Sequence, residues 1–456
     1  MKQKTIMFVV ATSTRIGFVL KTDLFRKLES EGNKMVIVSP FWNDKNFKDE
    51  FSRNNIFLEP LPIRSRLAKA ASTTRNVATQ ITDSEKLNRC KKIQQQITRR
   101  YRPQNKKINW RGPLLKVIPK KIKTSDTFWN HVEYFAHKQK GYTNLFKKYK
   151  PDVLVLASGG AEGEDIPFLL YSWKRKIPSI AIDGNIDVFE FRYFSKTRPI
   201  TEWALFSEAQ KEEGASMQKI PKENLKATGP LRYDYYFHEF KPENREKFLS
   251  RLGLDPNKKV ITLGAKVPVL FPHNDDIIKI IKDAINDKKI DPESQLYIRF
   301  DPNHDPKIYD KNLLSGLKWE LATSKEASTR EHLANLLYHS DIVISISSTF
   351  SCEACLVDTP AAWIGFEGFA SPKTLEESYR YAYELDLFKR ILKTGGISLV
   401  ESPKELINTI NKYIKSKKEG REERKKFVLQ EYYNDETSAG VKIAKLVNDL
   451  INRNEK

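Results

Sequence analysis

Three kinds of residue pattern are scarce in this chain, and each scarcity excludes something. Cysteine occurs three times in 456 residues, as Cys90, Cys352 and Cys355. That number gives no disulfide framework and fits a reducing cytoplasm. Long apolar runs are missing: no segment approaches the ~20 apolar residues that a membrane helix needs. The start, "MKQKTIMFVVATSTRIGF", is basic, but its apolar run covers only Ile6 to Ala11, so it reads as a strand and a helix and not as a signal peptide. Metal and phosphate-loop spacings are missing too. The histidines form no H-x-x-x-H, and His332 and His339, seven apart on a helical stretch, read as structural or solvent-facing. Neither G-x-G-x-x-G nor G-x-x-x-x-G-K-[ST] occurs.

Acidic residues are also in deficit, and unevenly so. Lys+Arg number 79 against 58 Asp+Glu, a net charge of +21. Between Arg64 and Asp126 there are 18 basic and 3 acidic residues, so +15 of that excess lies in one segment. It is either a solvated insertion or a surface for an anionic partner. Basic residues near an anionic leaflet contribute about 1 kcal/mol each, enough in number to hold a protein at a membrane without an anchor. No nucleic-acid fold signature accompanies the charge, so nucleic acid is not expected as a partner.

What is present is an alternation of apolar strands with amphipathic helices. "TIMFVVA", "KMVIVSP" and "NNIFLEPLP" read as strands, with a helix in "FVLKTDLFRKLESEGN". The basic segment follows, with a helix expected from "NVATQITDSEKLNRCKKIQQQITRRY". The alternation resumes with "PDVLVLAS", "EDIPFLLYSWKRKI", "PSIAIDGN" and "EWALFSEAQKEEGAS". A second series begins near Lys258 with "KKVITLGAK", then "SQLYIRFDP", "TREHLANLLYHS", "DIVISIS" and "PAAWIGFEG". Such alternation predicts two parallel, doubly wound α/β halves. The boundaries expected are 1–235 for an N-terminal domain with the insertion at about 64–126, 236–430 for a C-terminal domain, and 431–456 for a last helix packing back on the first domain.

"DIVISISSTFSCEACLVDTP" carries the best candidate site. Ser347, Ser348 and Thr349 stand where a strand ends and a helix begins. There the free N–H groups and the helix dipole favour an anion, and ligands of open α/β sheets bind at this edge. One helix cap needs one hydroxyl; three in a row exceed that need. Glu353 follows in the first turn, suited either to the dipole or to a ribose diol. Cys352 and Cys355 lack the second pair a zinc ribbon requires and read as small packed side chains.

Other loops are less specific. Arg299, ending "YIRF", could meet a phosphate bidentately, with Asp301 and His304 in the following loop; a surface turn is the alternative. "ASGGAEGED" joins a strand to a helix, and its Gly159, Gly160 and Gly163 allow close backbone approach. Its Glu162, Glu164 and Asp165 are candidate general bases or simply helix N-terminal charge. Asp183, Asn185 and Asp187 end the next strand. "TGPLRYDYY" suits an interdomain turn at Gly229, with Arg232 and Asp234 facing a donor or pairing with each other.

Together these stretches resemble the GT-B glycosyltransferases. The nearer likeness is to bacterial surface-carbohydrate enzymes: Kdo transferases, GT-B sialyltransferases and CDP-glycerol glycerophosphotransferases. "HSDIVISISSTFSCEACLVDTPAAWIGFEG" is similar to their strand, Ser-Ser turn, Glu-bearing helix and following strand. "NLKATGPLRYDYY" looks like the segment that opens their C-terminal domain, and "YIRFDPNHDP" sits where they carry an Arg-x-His-Pro loop. The resemblance spans roughly residues 150 to 450, with a weaker match at 1 to 62.

It implies two Rossmann-like domains facing across a cleft and transfer of a sugar from a nucleotide donor to a glycan or lipid-linked acceptor. No cofactor and no metal are implied. Ser347 and Ser348, with Thr349, would contact donor phosphate, Glu353 the ribose and Arg299 the phosphate. Asp301-Pro302 departs from His-Pro and argues against a CMP-linked donor. The acceptor base would come from Glu162 to Asp165. The basic segment would hold the enzyme at the cytoplasmic membrane face or bind an anionic glycan. A glycerophosphotransferase, a UDP-sugar 2-epimerase and a non-catalytic binding protein are the alternatives on the same fold.

Overall fold

Strands buried on both faces need apolar side chains in unbroken runs, and the chain supplies them. In β1 (Thr5–Val9), Ile6 and Phe8 point into one apolar cluster while Met7 and Val9 point into another. This is the period-two alternation of a strand with a core on each side. The computed structural model describes residues 3–80, 85, 88–93, 95, 119–123, 125–158, 163–182, 184–191, 198–268, 270–303, 306–324, 326–432 and 435–454.

The chain divides into two compact units, one of Met1–Asn88, Lys106–Asp234 and Glu431–Lys456, the other of Arg89–Asn105 and Tyr235–Gln430. In the first, β1 is joined by β2 (Lys34–Ser39), β3 (Ile56–Pro60), β4 (Val153–Leu156), β5 (Ser179–Ile182), β6 (Glu202–Leu205) and β7 (Leu225–Ala227). All pair in parallel, in the order β3-β2-β1-β4-β5-β6-β7. Helices Asp23–Ser30 and Ala439–Asn454 cover one face; Lys140–Tyr149 and Asp165–Lys174 cover the other.

The C-terminal helix is fixed to the first unit by three contacts of different kinds. Ile443, Val447, Leu450 and Ile451 are buried in the β1 core, each worth about 1.5–3 kcal/mol relative to exposure. Asp234 accepts hydrogen bonds from the N–H groups of Ala439 (3.0 Å) and Gly440 (2.9 Å), capping the helix. A Cβ at Gly440 would lie 2.5 Å from the backbone nitrogen of Leu24, so only glycine lets the two helices approach this closely.

The second unit holds β8 (Lys259–Ala265), β9 (Ser294–Phe300), β10 (Lys318–Leu321), β11 (Ile342–Ser345), β12 (Ala361–Ile364) and β13 (Ile397–Val400). They too are all parallel, in the order β10-β9-β8-β11-β12-β13. Helix Arg421–Glu431 is polar apart from Phe427, Val428 and Leu429, and its Arg424 is buried and donates to Asp358 at 2.7 Å.

Several elements differ from the sequence expectation, among them β13, which was not read as a strand. The helix expected from Asn76 begins at Arg66, because Ser65 accepts the Ala68 N–H and caps it there. β10 was not anticipated: its four residues run exposed, exposed, half-buried, half-buried, as an edge strand does. Most of the basic segment beyond Gln80 lies outside the described residues. Among the described residues, no helix is long and apolar enough to cross a membrane, and no cluster of His, Cys, Asp or Glu could hold a metal.

Candidate functional site

In a doubly wound sheet the strand order reverses at one point, and the loops that leave its two strands diverge to form a crevice. In the second unit β8 continues to β9 and β10 on one side, while β11 lies on the other. The crevice is therefore bounded by the loop after Ala265 and by the turn Ile346–Ser348. Gly264 brings them together: a Cβ there would sit 2.6 Å from the Phe350 ring, so glycine lets the helix Thr349–Leu356 start directly against β8.

The three hydroxyls have three different surroundings. Ser348 is the helix cap, accepting the Phe350 N–H at 3.2 Å. Thr349 is the first helical residue and half-buried. Ser347 bonds through Oγ to the Tyr379 hydroxyl at 2.6 Å, and its N–H donates to the Tyr383 hydroxyl at 3.1 Å. Glu353 lies one turn on, 5% exposed, and accepts a hydrogen bond from the Tyr236 hydroxyl at 2.8 Å. Cys352 and Cys355 are buried, and burial pushes the Cys355 thiol up to about 12, which fits packing and not chemistry.

Arg299 corrects the expectation. It stands opposite Glu320 in the β9/β10 register, ion-paired with that carboxylate and donating to the Ala327 carbonyl at 2.8 Å. Glu320 also accepts from Tyr297 (2.8 Å) and meets His332 Nε2 at 2.7 Å. Burial pushes the Glu320 carboxyl up, but His332 and Arg299 outweigh it and hold it below the ordinary carboxylate range. Arg299 is thus built into a cross-strand charge cluster and not presented to a phosphate. Asp301 accepts the Asn303 N–H at 3.0 Å and closes a turn. His304 lies outside the described residues. His339 stacks on Phe248 and contacts the Glu243 carbonyl, a structural position.

The first unit has its own reversal, between β1 and β4. Arg15, 5% exposed and just past β1, donates to the carbonyl of Ala157 at the end of β4, bridging the two strand ends. Of the three candidate bases, Glu162 lies outside the described residues, with Gly159 and Gly160. Asp165 is 1% exposed and accepts the Ser158 hydroxyl, so it closes the loop and is not placed to meet a substrate. Glu164 is half-buried, with the Arg64 guanidinium as an electrostatic neighbour.

Arg64 gives Gly163 its purpose. A Cβ at 163 would fall 1.8 Å from Arg64 Nη1, so that end of the guanidinium rests against the glycine. Ser72 accepts from Arg64 at 3.0 Å, and His137 Nε2 is 3.4 Å away. His137 Nδ1 faces the Glu133 carbonyl at 2.7 Å, which can only accept, so Nδ1 carries the proton and Nε2 is the acceptor for Arg64. Burial depresses His137 to about 4 and keeps it neutral. Beneath it Glu133, fully buried, pairs with Arg75 at 2.6 Å and Arg198 at 3.4 Å. Burial raises the Glu133 carboxyl, but the two arginines outweigh that and hold it low.

The loop after β7 is structural in detail. Gly229 takes φ +96°, a region that only glycine adopts freely. Arg232 donates to Asn185 Oδ1 at 3.1 Å. Asp234, expected at a donor loop, instead caps the C-terminal helix. Asp187 is half-buried and Asp183 lies outside the described residues. Sequence reading missed Arg15, Arg64, Tyr236, Tyr379 and Tyr383. Only Arg15 had a local signal, a cation in the short polar stretch that follows the first apolar strand.

No protein-family model and no curated protein matches the chain. Solved structures match over nearly its whole length. The UDP-GlcNAc 2-epimerase of Methanocaldococcus jannaschii is similar at TM-score 0.56 and 12% identity, covering 97% of this chain and 99% of that one. The UDP-GlcNAc 2-epimerase of Neisseria meningitidis, bound to UDP-GlcNAc, is similar at 0.53 and 13%, covering 98% and 100%. The calicheamicin glycosyltransferase CalG4 is similar at 0.50 and 12%, covering 99% of each. At these identities the likeness establishes the fold: α/β, of GT-B type, built of two Rossmann-like domains. Kinship with Kdo, sialyl or glycerophosphate transferases stays an expectation.

Proposed function

We propose that this chain is an enzyme acting on a nucleotide-activated sugar, and that it transfers the glycosyl group to a surface-polysaccharide or lipid-linked acceptor. The carrying observation is the turn Ser347–Thr349 at the strand-order reversal of the second unit, opening the helix Thr349–Leu356. Backbone N–H groups at a helix start, the Ser347 and Thr349 hydroxyls and the dipole would meet the phosphate that carries negative charge as the sugar leaves. Glu353, already accepting a hydroxyl from Tyr236, has the chemistry to accept one from a ribose. Such a site stabilises the leaving group without a metal. Glu164 is the described carboxylate best suited to take the proton of an acceptor hydroxyl.

A second reading has its own support. Several structural neighbours are named as UDP-GlcNAc 2-epimerases, and an epimerase needs the same nucleotide site and no acceptor. Incubation with UDP-GlcNAc and other nucleotide sugars, with and without glycan acceptor, followed by NMR of the products, separates the two. Acceptor-dependent release of nucleotide supports transfer; an epimer formed without acceptor replaces it with epimerisation. Consumption of CDP-glycerol and of no nucleotide sugar would sink both.

For the basic segment the proposed partner is an anionic membrane surface. Its charge is joined by exposed apolar groups: Ile63, Leu67, Phe128 and Phe135. Phe128 and Phe135 are seven apart on the helix Asp126–His137, on the side away from its buried Trp129, Glu133 and His137. Exposed Arg66, Lys69 and Lys138 lie nearby in sequence. Apolar groups bordered by cations fit insertion at a headgroup layer.

A further inference from the structure

The segment after β12 touches both loops of the crevice in the second unit. Phe369 N–H donates to Asp276 at 3.2 Å, and Tyr379 packs edge-on against Phe271 at 5.4 Å, both at or near the loop after β8. Tyr379 and Tyr383 reach Ser347 after β11. Glu367, 5% exposed, fixes the backbone by accepting from the Ser378 hydroxyl and the Tyr379 N–H.

The two tyrosines have different hydrogen-bond accounts. The Tyr383 ring stacks on Trp363 and its hydroxyl donates to the Ile364 carbonyl at 2.8 Å. A phenol has one proton, so Tyr383 can only accept from Ser347, and it does so from the N–H. The Ser347 N–H is therefore committed to the fold. What Ser347 can offer an anion is its hydroxyl proton. That proton is available only if the 2.6 Å contact with Tyr379 runs from the phenol to the serine. A negative charge at the helix start favours this direction, because each bond in a chain polarises the next.

We infer that Tyr379 is a positioning residue: its hydroxyl donates to Ser347 Oγ and so turns the serine proton toward the donor phosphate. The inference rests on the phosphate role proposed above for Ser347. It assigns a phosphate-facing function to a residue 32 positions away in sequence, in a segment with no motif.

The test is calorimetric titration of wild type, Tyr379→Phe, Ser347→Ala and the double variant with UDP, CDP and GDP, and with uridine, cytidine and guanosine. Tyr379→Phe should weaken the bound diphosphate about threefold to tenfold, the loss expected for one hydrogen bond. The matching nucleoside should be unaffected. The double variant should be no weaker than Ser347→Ala, since phenol and serine act as one unit. Unchanged diphosphate affinity in Tyr379→Phe, an equal loss for nucleoside, or losses that multiply in the double variant would each overturn the inference while leaving the phosphate reading of Ser347 standing. Wild type that binds none of the nucleotides would overturn both.

Discussion

Replacing Arg299 with Met separates what the resemblance implies from what the structure shows. The substitution keeps an unbranched apolar stem and removes the guanidinium with its charge. Arg299 and Glu320 are only 11% and 10% exposed, so the lost partner leaves a carboxylate in a poorly solvated place. Breaking a buried pair from one side costs about 3–5 kcal/mol. Here Tyr297 and His332 still hold Glu320, while the Ala327 carbonyl loses its donor. The expected destabilisation is therefore about 2–4 kcal/mol. Urea unfolding followed by far-UV circular dichroism should show it as a lower midpoint at unchanged slope. Adding Glu320→Gln should recover part of the loss, because the stranded charge is gone. The defect should also shrink at acid pH. The folded Glu320 carboxyl lies below its unfolded value, so its stabilisation is present above the ordinary carboxylate range and lost as pH falls through the depressed value. Nucleotide affinity should stay within twofold of wild type. An unchanged midpoint together with a tenfold or greater loss of nucleotide affinity would refute the reasoning and return Arg299 to the donor phosphate.

Two further outcomes are expected. His137 is held at about 4 when folded against about 6.5 unfolded, so its contribution is fully present above pH 6.5 and falls as the pH drops toward 4, by about 3 kcal/mol in all; the stability curve of His137→Gln should be flatter in that window, and an identical curve would remove His137 from the Arg64 cluster. Co-sedimentation with phosphatidylglycerol-containing vesicles should be strong at low salt and weak at high salt, and Phe128→Ser with Phe135→Ser should reduce it at least tenfold, each ring contributing about 1.5–3 kcal/mol; equal binding to neutral phosphatidylcholine vesicles, or no effect of the substitutions, would contradict the surface assignment.

The strands that build both sheets were legible because parallel strands covered on both faces need continuous apolar runs, as "TIMFVVA", "PDVLVLAS" and "DIVISIS" are. The edges of the second sheet were not: β13 went unread, and β10 is short, half-exposed and carries one Lys and one Glu among four residues. That miss propagated into the site. Without β10 there was no visible partner for Arg299, and a cation at a strand end could be assigned to a phosphate. Asp165 and Asp234 were misplaced for a related reason. A carboxylate beside a loop looks the same in sequence whether it faces a substrate, a serine or the start of a distant helix. The hydroxyls at Ser347–Thr349 were legible because they lie directly between a strand and a helix. Tyr379 and Tyr383 were not, because their role depends on a loop crossing that leaves no periodic trace. Gly163 was recognised as permitting close approach, but the group that approaches, Arg64, is 99 positions earlier and looked like one charge among many.

The central claim is that the turn Ser347–Thr349 holds the phosphate of a nucleotide. Thermal unfolding of wild type and of Ser347→Ala with Thr349→Ala, each with CMP, CDP, UDP, GDP and dTDP, tests it directly. A ligand that binds only the folded chain stabilises it by about 2.7 kcal/mol at a concentration of 100 Kd. One nucleotide should raise Tm in the wild type, and the double variant should lose most of that shift while melting close to the wild-type temperature without ligand. No shift with any of the five nucleotides, or a shift that survives both substitutions, would contradict it.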